Sequence, residues 1–166
     1  MSLKQRLQRQ LTAARETSER FLDDFKSPED WTRQVHEGSN HALWFAGHMG
    51  HTDNFFISIV APDRTLEKDG YVARFGMGSQ PTSTPEHYPP INEVLDYMRE
   101  RRQTLLATLD ALDESDLARS TPDGAPDFLS DIGSVFEMAI WHEGLHSGQL
   151  SVARRALGHK PLIENG

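Results

Sequence analysis

The sequence predicts an all-α fold, a four-helix bundle. Three observations carry that prediction. Helical periodicity dominates the chain in four blocks, the one strand-like stretch has no visible partner, and one long connection separates the second block from the third. At 166 residues the chain suits a single domain spanning 1–166, large enough to bury a hydrophobic core.

The first block runs from about Leu3 to Phe25, with Leu7, Leu11, Ala14, Ser18, Phe21 and Phe25 along one stripe. Ser27-Pro28-Glu29-Asp30 then reads as an N-cap, a proline at the first helical position and two acids in the first turn, so a short extra turn is expected. Ser39 or Asn40 can cap the second block, His41 to about Val60, which ends before Pro62. The third block spans Ile91 to Leu112, its start fixed by Pro89-Pro90. The fourth begins near Ser130-Asp131 and runs to Leu157, with Arg154 and Arg155 in its last turn and Gly158 in the C′ position. Tyr71-Val72-Ala73-Arg74-Phe75 alternates like a short strand but stands alone. The Ala61–Pro90 connection holds five of the nine prolines, is expected to pack irregularly over the bundle, and is long enough to permit a crossover.

Composition narrows the function. The formal charge of −8 and the lack of a basic cluster argue against nucleic acid as a partner. Cysteine is absent, which removes disulfides, thiolate metal sites and a cysteine nucleophile. No run of about 18 apolar residues suggests a membrane span, and no apolar leader follows Met1, so a cytoplasmic location is expected. Eight histidines are the oddity.

The sharpest motif is His142-Glu143-Gly144-Leu145-His146. Histidines at i and i+4 project from one helix face, where both imidazoles can reach one metal ion. The string has the H-E-x-x-H form of zinc peptidases, in which the Glu is a general base. The extended peptidase motif fails, because Gln149 and Val152 occupy the positions that need Gly and His. A glutamate ligand on a following helix fails too, since Glu164 is the sole acid beyond His146. A third ligand must come from upstream, where the second block offers His41, His48 and His51. His48 sits mid-helix, at the level of the His142/His146 pair; His41 is in the first turn, and His51 lies on the edge of the stripe. A lone inward histidine is ordinarily a satisfied core residue, but an i,i+4 pair with a third at matching height favours metal. Gly47, Gly144 and Gly148 around these histidines each cost about 1 kcal/mol relative to Ala, which suggests close helix approach or space for a ligand.

The strings Ala42-Leu43-Trp44-Phe45-Ala46-Gly47-His48-Met49 and His142-Glu143-Gly144-Leu145-His146-Ser147-Gly148-Gln149 resemble the DinB/YfiT-like superfamily of metal-binding four-helix bundles. The resemblance covers the whole chain, including the long second connection and the Leu157-Gly158-His159-Lys160-Pro161 tail. It implies an up-down-down-up bundle with a crossover between the second and third long helices, and a homodimer. It also implies a metal site at His48, His142 and His146 for Zn²⁺, Ni²⁺ or another divalent ion. Relatives of this kind include S-transferases and isomerases that use mycothiol or bacillithiol.

Two functions are therefore carried forward. One is a metal-dependent thiol S-transferase in which an external low-molecular-weight thiol attacks a small electrophile, since the chain has no thiol of its own. The other is a metal-binding bundle that is hydrolytic or non-catalytic. Gln149, on the ligand face at i+3 from His146, is a candidate to orient a ligand or bound water, or to hydrogen-bond within the core. His51 is a second-shell or surface candidate. Arg102, on the otherwise apolar stripe of the third block, could receive an anionic group, but a snorkelling or salt-bridged role is favoured. Glu143 lies roughly 100° around the helix from His142 and is expected to face solvent or a partner helix. Trp44 and Trp141 are expected in the core.

Overall fold

The computed structural model describes residues 1–162; Glu164 lies outside them. Its helices are α1 (Leu3–Leu22), α2 (Pro28–Trp31), α3 (Ala42–Val60), α4 (Tyr71–Phe75), α5 (Ile91–Asp110) and α6 (Ile132–Ala156). No strand forms among the described residues, and none of their helices is long and apolar enough to cross a membrane. Ser2, Ser27 and Asp131 cap α1, α2 and α6 with reciprocal capping boxes.

Contacts along the helices fix their directions. Lys4 Nζ donates to Asp110 O at 2.6 Å and Arg99 Nη2 pairs with Glu19 Oε2 at 2.7 Å, so α1 and α5 run antiparallel. Arg15 reaches Glu143, Ser18 meets Ser147 and Asp24 pairs with Arg154, so α1 and α6 run parallel. Gly50 packs on Tyr97 and Asp53 pairs with Arg102, making α3 parallel to α5. His48 faces His142 and Asn40 bonds Gln149, making α3 antiparallel to α6. The result is up-down-down-up, and the 61–90 segment is the crossover. It is less irregular than its prolines suggest, carrying α4 and short 3₁₀ turns at Pro62–Arg64 and Pro85–His87.

Two local expectations are corrected. Tyr71–Phe75 is a single helical turn rather than a strand. Gly70, at φ +73°, opens that turn, and the i,i+4 spacing lets Tyr71 and Phe75 both enter the core, which an unpartnered strand cannot do. The N-cap of α3 is His41, not Ser39 or Asn40: its Nδ1 accepts from Trp44 N at 3.1 Å, as a Ser or Asp oxygen would. Its Nε2 contacts Thr82 O at 3.1 Å and Tyr88 Oη at 3.0 Å, which ties the crossover to the start of α3.

The apolar interior has two halves. One gathers Leu22, Trp44, Phe75, Met98 and Leu150; the other gathers Leu11, Ile57, Leu105, Leu109 and Phe136. Between them lies a quartet with one member from each long helix: Arg15, Asp53, Arg102 and Glu143. Arg15 donates to Glu143 Oε1 at 2.7 Å and to Asp53 Oδ2 at 3.0 Å. Arg102 grips both Asp53 oxygens at 2.9 Å, and its Nη2 lies 2.6 Å from Glu143 Oε2. Arg15 also donates to Met98 O and Arg102 to Leu11 O. All four side chains are buried.

Glu143 is thus wholly buried: of the two environments expected for it, solvent or a partner helix, it takes the second, facing Arg15 of α1 and Arg102 of α5. The reason is that α6 packs against α1 and α3 together, so two of its faces are interior. Burial works against its charge, but Arg15 and Arg102 outweigh that and hold the carboxyl below its ordinary value. Deleting one partner of a buried ion pair leaves the other uncompensated, at about 3–5 kcal/mol. Asp53→Ala is therefore expected to lose about that much stability in urea unfolding. A loss under about 1 kcal/mol, the value of an exposed pair, would show the quartet to be incidental.

Candidate metal centre

One turn to the side of the quartet, α3 and α6 bring His48, His142 and His146 together. One donor nitrogen from each ring lies within 4.8 Å of the other two. His48 Nε2 and His142 Nε2 are 3.2 Å apart, and the His146 ring lies 4.7 Å from the His48 ring and 4.5 Å from that of His142. His142 and His146 converge because they are one turn apart on α6, as the sequence motif predicts. His48 meets them because α3 runs antiparallel at the same height.

Neighbours set each ring. His48 Nδ1 lies 2.6 Å from Phe75 O, and since a carbonyl can only accept, the proton sits on Nδ1. Phe75 ends α4, where carbonyls lack helical partners and are available. The Trp44 ring stacks on the His48 ring at 4.3 Å. Gly47 permits this arrangement: a Cβ there would lie 2.3 Å from the Phe75 ring, so only glycine lets α4 come so close. His146 Nδ1 donates to Gln149 Oε1 at 2.9 Å, and Asn40 Nδ2 donates to the same oxygen at 2.9 Å. Gln149 is therefore a brace for a ring.

The donor set fits a metal ion. With its proton held on Nδ1, His48 presents a bare Nε2 lone pair to another imidazole nitrogen at 3.2 Å, and a cation satisfies such an arrangement. Second bonds from ring N–H groups to a carbonyl and an amide oxygen are those that orient metal-binding histidines. The three histidines, His48 buried and His142 and His146 half-buried, can hold a metal ion.

The other candidates lie elsewhere. His51 lines the cavity above the cluster without joining it. Arg102 belongs to the buried quartet and does not line the cavity, so it is the salt-bridged alternative, not the anion receiver, that its position realises. Trp141, expected in the core, is 59% exposed on the cavity wall, because it points outward from α6 beside His142. Gly144 and Gly148 approach no other element; a Cβ on either would meet open space. The sequence reading missed the Phe75 carbonyl and the quartet. The only sequence signals for the quartet were ionic residues breaking apolar stripes, as Arg102 does.

A four-helix bundle with three histidines converging from two helices is the class that fold and site define. The family model of the DinB superfamily matches residues 10–150, and the chain belongs to that superfamily. Comparison with curated proteins gives no match.

Burial lowers the pKa of His48 to about 3 and of His142 to about 4, and lowers that of His146 as well. His41 is likewise lowered by burial to about 4. The fold holds these rings neutral, which leaves the three of the cluster ready to ligate, while the unfolded chain takes up protons near pH 6.5. Lowered folded values mean stability is complete above about pH 6.5 and is lost as pH falls toward the folded values. Urea unfolding of metal-free protein is expected to show a clear loss between pH 7.5 and pH 5, above the carboxylate range. Equal stability at the two pH values would contradict these burials.

Proposed function

We propose that the protein is a cytoplasmic, homodimeric, metal-dependent thiol S-transferase, holding Zn²⁺ or Ni²⁺ at His48, His142 and His146. It joins an external low-molecular-weight thiol to a small electrophile. The observation that carries the reading is three neutral imidazoles, those of His48 and His146 braced from behind, at the floor of a cavity of about 620 Å³. Three protein nitrogens are the donor set of catalytic rather than closed structural sites. A bound divalent ion supplies Lewis acidity that favours the anionic form of a coordinated thiol or water near neutral pH.

The chain's own groups fit thiol chemistry better than hydrolysis. Phe75 O holds the proton on His48 Nδ1 and Gln149 Oε1 holds that on His146 Nδ1, so both rings keep their outward nitrogens unprotonated. Among the described residues no carboxylate lines the cavity, and Glu143, the general base of the peptidase reading, is turned into the quartet. A thiol needs no such base once its proton is lost. The chain supplies no thiol, so the nucleophile is external.

Elemental analysis of protein purified without chelating resin is expected to give one divalent metal per chain. His142→Ala and His146→Ala should abolish tight binding and His48→Ala should weaken it severely, whereas His51→Ala should leave the stoichiometry unchanged. Metal lost in His51→Ala but kept in His48→Ala would show the third ligand to be wrong. A metal-bound protein that conjugates no thiol in a screen of electrophiles would favour the non-catalytic alternative. Sedimentation equilibrium tests the dimer: a mass near 18.8 kDa at micromolar concentration would contradict it.

A further inference from the structure

The cavity above the histidines is built from outward-facing apolar groups. Trp141 is 59% exposed, Phe128 64% and Met77 98%, with Phe55 and Leu145 completing the wall. In a chain that is 25% charged, no Asp, Glu, Lys or Arg among the described residues lines this space. Thr52 and the histidines are the polar side chains on its surface. Large apolar side chains gathered at one exposed place lose free energy in water unless something covers them. A volume of about 620 Å³ suits a small molecule.

The lining also says what is excluded. Away from the ion at the histidines, a carboxylate or sulfonate carried on the body of the ligand would give up hydration against the aromatic walls and find no cationic side chain in return. An aromatic or aliphatic group would instead be stacked or packed by Trp141, Phe128 and Phe55. Met77 stands between Gly76 and Gly78 at the lip, and a long flexible thioether adapts to apolar ligands of varied shape.

We propose that the electrophile accepted by this site is an uncharged, predominantly apolar molecule of at least aromatic-ring size. Phe55, Phe128 and Trp141 pack its body while its reacting atom faces the three histidines. This rests on the reading of the site as a small-molecule metal centre. The polar remainder of the thiol co-substrate stays in solvent at the mouth.

Calorimetric titration with nitrobenzene and with nitrobenzenesulfonate, on metal-free and on zinc-loaded protein, tests the inference through binding alone. On metal-free protein nitrobenzene is expected to bind at least about tenfold more tightly than the sulfonate, and on zinc-loaded protein the charge of the ion narrows that preference. Trp141→Ser and Phe128→Ser, both at exposed positions, should each weaken nitrobenzene by about fivefold without changing zinc stoichiometry. Equal or tighter binding of the sulfonate to metal-free protein, or unchanged nitrobenzene affinity in both variants, overturns the proposal. A dimer that dissociates in Trp141→Ser while nitrobenzene affinity is unchanged overturns it too, and makes the rim an interface between copies. Failure of zinc to bind while the preference for nitrobenzene persists counts against the S-transferase reading alone. Zinc binding without that preference counts against this inference alone.

Discussion

Arg15, Asp53, Arg102 and Glu143 meet at mid-height, one from each long helix, with two positive and two negative charges. Apolar packing alone lets neighbouring helices slide by a turn at modest cost, because one leucine replaces another. Paired charges in a dry interior do not allow it, since a one-turn slip would strand an ion without a partner. The quartet therefore sets a register for all four helices at once. The metal centre inherits that register, for Glu143 directly follows His142, and Asp53 lies little more than one turn beyond His48.

The same division of faces separates structure from chemistry on α6. Glu143 and Ser147 point inward, to Arg15 and Ser18, while His142 and His146 turn toward α3 and Trp141 and Leu145 toward solvent. A string that reads as one catalytic motif is thus split between three environments. The carboxylate that a peptidase would use as a base is instead consumed in holding the helices together.

The four long helices and the histidine pair were legible because both rest on spacing along one helix, where 3.6 residues per turn makes neighbours calculable. His48 was legible because a mid-helix position and antiparallel packing imply equal height. The quartet was not, because Arg15 and Glu143 are 128 residues apart and nothing in a single chain pairs them. Glu143 was left open between solvent and a partner helix for a related reason: a helix that packs on two sides has no dependable polar face. Tyr71–Phe75 misled because five residues are too few to tell a two-residue period from a helical turn. His41 was passed over as a cap because ring nitrogens substitute for hydroxyl or carboxylate oxygens only when the ring is oriented, and its orientation comes from the distant Tyr88.

The bond from His48 Nδ1 to the Phe75 carbonyl joins the histidine cluster directly to the crossover. On one side is a candidate metal-binding nitrogen, and on the other the last turn of a helix only five residues long. Polarisation passes through an imidazole, so a cation at Nε2 makes the Nδ1 proton a stronger donor and tightens its hold on that carbonyl. Thermodynamic reciprocity would then work in the opposite direction: a change in residues 61–90 that removes this bond would weaken the hold on a cation by the free energy that the bond couples to it. The crossover is in this sense an outer wall of the metal centre.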